Sequence, residues 1–148
     1  MKPFDKALIL RRARAGDCVR LAELSGELGY PTSVTEMRQR FALIKPPTAH
    51  RVFVAEVEKK VIGWIHVSIT PLLEVPRRAE VNGLVVAEGH RSFGAGAKLL
   101  DAAESWARKQ KCAGMSVRSN VIRDRAHAFY ERQGYTHIKT QKAFRKSL

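Results

Sequence analysis

The stretch that decides the fold is Asn82-Gly-Leu-Val-Val-Ala-Glu-Gly-His-Arg-Ser-Phe-Gly-Ala-Gly-Ala-Lys98. Its first part is apolar and rich in valine, which is typical of a strand. Gly83 inside that strand indicates a bulge or a close backbone approach. The second part contains Arg91-x-x-Gly94-x-Gly96 and opens a helix over residues 94–111. A strand, a glycine turn and a helix in direct succession predict an α/β arrangement.

The glycine turn has the chemistry of an anion site. Two glycines let backbone N–H groups turn toward a pyrophosphate, and the start of the helix adds unpaired amides. Arg91 and Lys98 add positive charge. An ordinary glycine-bearing turn between a strand and a helix fits the same residues. The turn is not a Walker A loop, because no Gly-Lys-Ser/Thr follows, and its glycine spacing differs from the dinucleotide fingerprint.

The remaining chain alternates helical and strand-like patterns around this stretch. The predicted order is β-αα-β-β-β-α-β-α-β, with a further short strand at the end. The predicted strands lie at residues 7–13, 51–57, 61–70, 79–86, 115–118, 135–140 and 143–146. Asp17, a Ser33-to-Glu36 capping box and Asp124 open three of the predicted helices. The pattern predicts an α/β (α+β) fold with a mixed, mostly antiparallel sheet flanked by helices.

Length and composition limit the classes of protein. The chain has 148 residues, of which 45% are hydrophobic, and it is long enough for one packed domain over residues 1–148. Lys+Arg exceed Asp+Glu by 27 − 14, which gives a net charge of +13. Such a charge favours a polyanionic partner: nucleic acid, an anionic membrane or a phosphorylated ligand.

Other classes have little support in the sequence. Cys18 and Cys112 are far apart, and the five histidines are scattered, so no metal site is predicted. The first residues build no apolar run of signal-peptide length, and no stretch of 18 apolar residues occurs. We therefore expect a cytoplasmic protein with no membrane partner.

Two motifs make the sequence resemble the GCN5-related N-acetyltransferase (GNAT) superfamily. Residues 91–96 are similar to the acetyl-CoA pyrophosphate loop of that family, and residues 80–86 resemble the strand before it. Asn120, followed by Ala126-His-Ala-Phe-Tyr-Glu-Arg-Gln-Gly-Tyr135, resembles the second signature, Asn…Ala-x-x-Phe-Tyr-x-x-x-Gly-Phe/Tyr. The resemblance covers residues 80–135 by motif and nearly the whole chain by element order.

The resemblance implies transfer of an acetyl group from acetyl-CoA, a co-substrate, to a primary amine by direct attack through a tetrahedral intermediate. The amine is a small molecule, an amino acid or a peptide or protein amine. A bulge would splay the central strands and open the acetyl-CoA slot, with the backbone N–H of Val85 on the acetyl carbonyl. The residues implied in cofactor binding are Leu84, Val85, Val86, Arg91, Ser92, Phe93, Gly94, Ala95, Gly96, Ala97, Lys98, Asn120 and Tyr130.

The resemblance also implies catalytic groups, each with a structural alternative. Tyr130 matches the acid that protonates the leaving thiolate; otherwise it packs beside Phe129. Glu80 stands where the family often places the base, acting directly or through water, and it is otherwise a solvated or ion-paired strand residue. Asn120 holds the pantetheine or orders Tyr130, and it is otherwise a turn residue, which asparagine favours.

The acceptor side and the partners are left open by the sequence. The resemblance places the acceptor against the first two helices, where residues 17–36 hold one arginine and four carboxylates, a balance of 1 − 4 = −3. This acidic patch attracts an ammonium or is an ordinary solvated face. A homodimer is expected by analogy. The alternatives are a basic nucleic-acid-binding module, which rests on charge alone, and a catalytically silent CoA-binding regulator of the same fold.

Overall fold

The computed structural model describes residues 7–44, 49–91 and 94–148. These residues group into two compact units, 1–117 and 118–148, and each is described by itself. The assignment of residues 1–148 to a single domain stays a prediction. Ser92 and Phe93, two of the predicted cofactor-binding residues, lie outside the described residues.

Within the described residues, the first unit holds a five-stranded sheet in the order β1-β2-β3-β4-β5. The strands are β1 (Leu8–Arg12), β2 (His50–Val57), β3 (Lys60–Ile69), β4 (Arg78–Val86) and β5 (Gly114–Val117). The first four strands pair antiparallel with their neighbours, and β5 pairs parallel with β4. The predicted hairpin and the mixed, mostly antiparallel sheet are confirmed.

Helices cover both faces of this sheet, because successive strand residues point to opposite sides. The helices are α1 (Cys18–Leu28), α2 (Val34–Ile44) and α3 (Ala95–Lys109). Val54 and Val85 pack with Leu21 and Leu24 of α1, so they define the α1 face. Gly63 points to the other face, where an added Cβ would lie 3.2 Å from the Leu99 side chain of α3. The predicted α/β class is confirmed.

Local signals set the helix ends as the sequence predicts. The Ser33 N–H donates to Glu36 Oε1 at 2.9 Å, and the Glu36 N–H donates to Ser33 Oγ at 3.0 Å, which is the predicted capping box of α2. Gly29 ends α1 with a φ of 104°, a left-handed conformation that glycine adopts without strain. Asp17 precedes α1, but its side chain accepts from the Arg14 N–H and from Arg11 instead of capping that helix.

The second unit contains α4 (Asp124–Arg132), which Gly134 follows with a φ of 91°. The prediction of two short strands over 135–140 and 143–146 is wrong, because residues 135–148 form no strand. Ile138 and Phe144 are 76% and 92% exposed. A β-like pattern forms a strand only where it has a ladder partner and a surface against which its apolar side chains can pack. In this tail neither Ile138 nor Phe144 is packed against such a surface.

Candidate active site

The bulge predicted at Asn82-Gly83 is present in β4. Gly83 pairs with His66 and Val81 pairs with Val67, so Asn82 is an extra residue in the ladder. Asn82 Nδ2 donates to Ser68 Oγ at 2.7 Å, which fixes the extra residue. A Cβ on Gly83 would lie 2.8 Å from the Trp64 ring, so the close approach requires glycine at this position.

The same bulge marks the point where β4 leaves its neighbour. Parallel pairing with β5 runs from Arg78↔Gly114 to Val81↔Val117, whereas β4 continues to Val86. Within the described strands, the β5-facing edge of residues 82–86 therefore has no ladder partner. The side chain of Val85 is 4% exposed in the α1-face core, and its backbone faces β3, so the backbone groups at the β5-facing edge are those of Leu84 and Val86. The ladder ends where β5 itself ends, at Val117, and the splay of the two strands stays a prediction.

The glycine turn that follows β4 leads directly into α3. Arg91 Nε donates to the Val86 carbonyl at 3.1 Å, which ties the turn to the strand end. Gly94 has a φ of 83° and precedes the first helical residue, Ala95. The Lys98 N–H donates to the Gly94 carbonyl at 3.1 Å, so the amides of residues 95–97 precede the first helical bond. Unpaired amides at a helix N-terminus attract anions.

Glu80 lies on the α1 face of the sheet because of the bulge. It pairs with Ser68 on β3, and Ser68 pairs with His50 on β2. The next row holds Gly83 opposite His66. These rows place Glu80 and two histidines on one face beside the bulge, although the sequence separates them widely.

The two histidines are a feature that sequence reasoning missed. His50 Nδ1 and His66 Nε2 lie 2.9 Å apart, and their rings stack with centroids 5.1 Å apart. Burial, with a smaller contribution from His50, lowers the pKa of His66 to about 4. The hairpin register was the available signal, since it places positions 50 and 66 on diagonal neighbours of one face.

Tyr130 lies in the second unit on α4. Its ring makes edge contacts with Phe129 and Tyr135, with centroids 5.2 Å and 5.8 Å away. Burial raises the pKa of Tyr130 to about 12, and the nearby charge of Arg123 opposes that shift. The phenol therefore keeps its proton at neutral pH, and its packing beside Phe129 coexists with any role as a donor.

Asn120 has the geometry of a turn residue at the entry to α4. Its Oδ1 accepts from the Ile122 N–H at 3.1 Å, and its carbonyl lies 2.9 Å from His127 Nε2. This agrees with the structural alternative given above. Its role toward pantetheine stays a prediction.

The predicted acidic patch is largely occupied by contacts within the first unit. Its carboxylates have these partners: Asp17 with Arg11, Glu23 with Arg20, Glu27 with the Glu88 N–H, and Glu36 with Arg40. Each contact lowers the field that the carboxylate offers a cation. Attraction of the acceptor to this patch stays a prediction.

Metal-binding clusters and membrane-spanning helices are both absent from the described residues. No group of three or more His, Cys, Asp and Glu side chains in residues 7–44, 49–91 and 94–148 is arranged to hold a metal ion. None of the helices in that part of the chain combines the length and the hydropathy that crossing a bilayer requires. The cytoplasmic location and the homodimer stay predictions.

Known proteins share this arrangement. The Acetyltransferase (GNAT) family model matches residues 17–135. A search of curated proteins gave no match. The aminoglycoside N-acetyltransferase AAC(6')-Iy in complex with CoA has a TM-score of 0.88 at 15% identity, covering 100% of both chains. Glucosamine-6-phosphate N-acetyltransferase from Arabidopsis thaliana has a TM-score of 0.83 at 20% identity, covering 96% of this chain and 100% of that one. A transcriptional regulator from Bacillus halodurans C-125 has a TM-score of 0.81 at 24% identity, covering 93% of this chain and 100% of that one.

The structural matches and the family match carry different weight. At 15%, 20% and 24% identity, the solved structures establish the fold. The family model covers most of the chain and includes both the glycine turn and the segment around Tyr130. The chain therefore belongs to the GNAT acetyltransferase family, an enzyme family of acetyl-CoA-dependent N-acetyltransferases, as its two motifs predict.

Proposed function

We propose that this protein transfers the acetyl group of acetyl-CoA to a primary amine by direct attack of the amine. The observation that carries the proposal is the run of β4 to Val86, past its last β5 pair at Val81, together with the left-handed Gly94 before the first residue of α3. A free strand edge and a helix N-terminus in succession suit a thioester and its pyrophosphate. We also propose that residues 1–148 act as one domain, since the family match runs from 17 to 135.

The residues present fit a CoA pyrophosphate. Arg91 is anchored through Nε, which leaves the outer nitrogens of its guanidinium as donors toward an anion. The amides of residues 95–97 and the exposed Lys98 side chain lie at the start of the helix, where the macrodipole is positive. An added Cβ at Gly94 meets no atom within 4 Å, so the turn leaves open space. When bound, acetyl-CoA supplies the activated carbonyl.

The free edge of β4 suits an oxyanion. Leu84 and Val86 present backbone groups there, while the Val85 backbone faces β3 and its side chain is held in the core. A fixed N–H beside the thioester carbonyl stabilises the charge that develops on its oxygen, because the donor needs no reorganisation. The prediction of the Val85 N–H for this contact is wrong, because the backbone of Val85 faces β3: the Ala87 N–H, two residues on, donates to the Ile62 carbonyl of that strand. We assign the contact to the N–H of Leu84 or Val86, which alternate to the β5-facing edge.

Tyr130 is proposed as the donor to the leaving sulfur. With a pKa raised to about 12, its phenol is protonated at neutral pH. A free thiol has a pKa of about 8.5, so complete proton transfer from such a phenol to the thiolate is unfavourable. Tyr130 therefore acts mainly through a hydrogen bond that strengthens as charge builds on the sulfur.

The acceptor is proposed to be a small amine, with an amino sugar as the first class to test. One structural neighbour is named for an aminoglycoside and another for glucosamine-6-phosphate. The net charge of +13 opposes the approach of a polycation and favours an amine that also carries a negative group. The chain therefore favours the phosphorylated amino sugar over the aminoglycoside.

A thiol-release assay with acetyl-CoA tests the proposal. The panel holds glucosamine-6-phosphate, an aminoglycoside, amino acids, polyamines and a lysine peptide, and calorimetry measures acetyl-CoA binding. Turnover with any amine supports the transferase. CoA binding without turnover favours the silent regulator, and binding of RNA or DNA without CoA binding favours the nucleic-acid module.

A matched pair of variants tests the glycine turn. Gly94→Ala forces a left-handed φ of 83° on a residue with a Cβ, which costs about 1 kcal/mol and shifts the turn. We expect acetyl-CoA binding to weaken by about fivefold. Gly89→Ala, in the same loop with no atom within 4 Å of the added Cβ and no positive φ, is the control. Equal affinities for the two variants would contradict the assignment.

A further inference from the structure

The histidine pair (His50 and His66) lies on the α1 face of the sheet, beside the β4 bulge. His66 is on the central strand β3, opposite Gly83. His50 is the first residue of β2 and follows the exposed Ala49. His66 is therefore one strand from Gly83 of the bulge, and His50 lies two strands from β4 in the row of Ser68 and Glu80.

The contact between the rings is a hydrogen bond and not only a packing contact. The 2.9 Å separation of His50 Nδ1 and His66 Nε2 requires one nitrogen to carry a proton and the other a lone pair. Burial holds the pKa of His66 at about 4, so His66 is neutral at neutral pH. A neutral imidazole can accept the Nδ1–H of His50, and in that tautomer the lone pair of the His50 ring is on Nε2.

The charged groups around the pair have defined places. Glu80 on β4 shares the face of the pair. The charged side chains of α1 and α2 interact elsewhere: Arg20 with Glu23, Glu27 with the Glu88 N–H, Glu36 with Arg40, and Arg38 with Cys18. Arg51, the next residue after His50, lies over the Trp106 ring. Glu80 is therefore the charged neighbour whose effect on turnover an experiment must distinguish from that of the histidine pair.

We propose that the His50–His66 pair takes up the proton that the acceptor ammonium must lose, with His50 as the protonated member and His66 as the positioning residue that accepts its Nδ1–H. The inference rests on the proposed function. An N–H bond of the ammonium breaks and an N–H bond forms on the pair. The amine keeps the electron pair, which then forms the bond to the acetyl carbon while the thiolate leaves.

The test is the pH dependence of amine turnover in the full-length enzyme. His50→Gln is compared with the wild type, with Glu80→Gln and with His137→Gln, an exposed histidine of the second unit. We expect His50→Gln to lower kcat/KM for the amine at least tenfold at pH 7. The gap should close as the pH nears about 10.4, the usual pKa of an alkylamine, because a free amine needs no proton acceptor. Acetyl-CoA affinity should stay within about twofold of the wild type.

Three outcomes overturn the inference. The first is a kcat/KM for His50→Gln that equals that of His137→Gln. The second is a loss that is the same at pH 7 and pH 10, which marks a structural role. The third is a loss of kcat/KM that disappears at high pH in Glu80→Gln but not in His50→Gln. That result assigns the proton to Glu80. Absence of turnover and of acetyl-CoA binding in the wild type overturns the proposed function, and this inference with it.

A measurement on the wild type alone covers the case in which His50→Gln does not fold. Imidazole ¹⁵N shifts report the tautomer and the protonation midpoint of each ring. We expect His50 to carry its neutral-state proton on Nδ1 and its midpoint to match the acid limb of kcat/KM. A proton on Nε2 of His50 at neutral pH, or a midpoint away from the acid limb, overturns the inference.

Discussion

Lowering the pH from 7 to 4 is expected to destabilise the first unit through His66. The pKa of His66 is about 4 in the folded chain, because burial disfavours the imidazolium. A histidine in the unfolded chain has a pKa of about 6.5. The unfolded chain therefore binds more protons between these two values. The stabilisation is complete above about pH 7 and is lost as the pH falls through this window.

The size of the effect follows from the two pKa values. The contribution of His66 falls by about 2 kcal/mol at pH 5 and by about 3 kcal/mol at pH 4. That loss is a large fraction of the 5–15 kcal/mol that typically separates the folded and unfolded states of a domain. The lowered pKa is a property of the folded chain, because its cause is the burial of the His66 ring on β3.

Urea unfolding followed by tryptophan fluorescence measures this loss, with Trp64 and Trp106 as reporters in the first unit. His66→Gln cannot be protonated, so its free energy of unfolding should fall by about 3 kcal/mol less than that of the wild type between pH 7 and pH 4. His137→Gln should follow the wild type. Acid effects on Asp17, whose pKa Arg11 lowers, are common to all variants and cancel. An identical acid loss in His66→Gln and the wild type would refute the reasoning.

Three further predictions follow from packing and charge. Gly83→Val places a Cβ 2.8 Å from an indole ring and should lower the free energy of unfolding by about 2 kcal/mol, whereas Gly114→Val, with no atom within 4 Å, should change it by under about 0.5 kcal/mol in urea. Arg11→Met leaves two partly buried carboxylates without their guanidinium and should cost about 3 kcal/mol at pH 7, and the part due to Asp17 should disappear as the pH falls through the lowered pKa of that carboxyl. Tyr130→Phe should remove the ultraviolet titration step near pH 12 and lower kcat without changing acetyl-CoA affinity; an unchanged kcat excludes it as the donor.

The features that the sequence predicts well are those with local causes. The Ser33–Glu36 capping box needs only residues three apart, and it forms as predicted. The bulge follows from Asn82 and Gly83 themselves. Asn82, the extra residue, hydrogen-bonds to Ser68 through its side chain, and Gly83 leaves room for the Trp64 ring. The left-handed Gly94 between a strand and a helix is a third local signal.

The predictions that fail or fall short depend on distant partners. Residues 135–140 and 143–146 alternate as strands do, but no ladder partner is supplied and Phe144 is almost fully exposed. Asp17 has the residue type of a helix cap, yet Arg11 binds its carboxylate at 2.8 Å and Glu56 completes that network. The guanidinium of Arg11, on β1, binds the Asp17 carboxylate in place of the helix amides, because a charge-assisted ion pair is the stronger interaction.

The position of Glu80 depends on both kinds of cause. In a regular strand, residues five apart point to opposite faces, so Glu80 and Val85 would lie on different sides of the sheet. The extra residue at Asn82 shifts the alternation by one, and Glu80 moves to the face of Val85 and of the histidine pair. A single bulge thus brings the Glu80 carboxylate to the sheet face that holds the two imidazoles. We therefore assign the proton of the acceptor ammonium to the histidine pair, and Glu80, which shares the row of Ser68 and His50 on the same sheet face, is the neighbour whose variant tests that assignment.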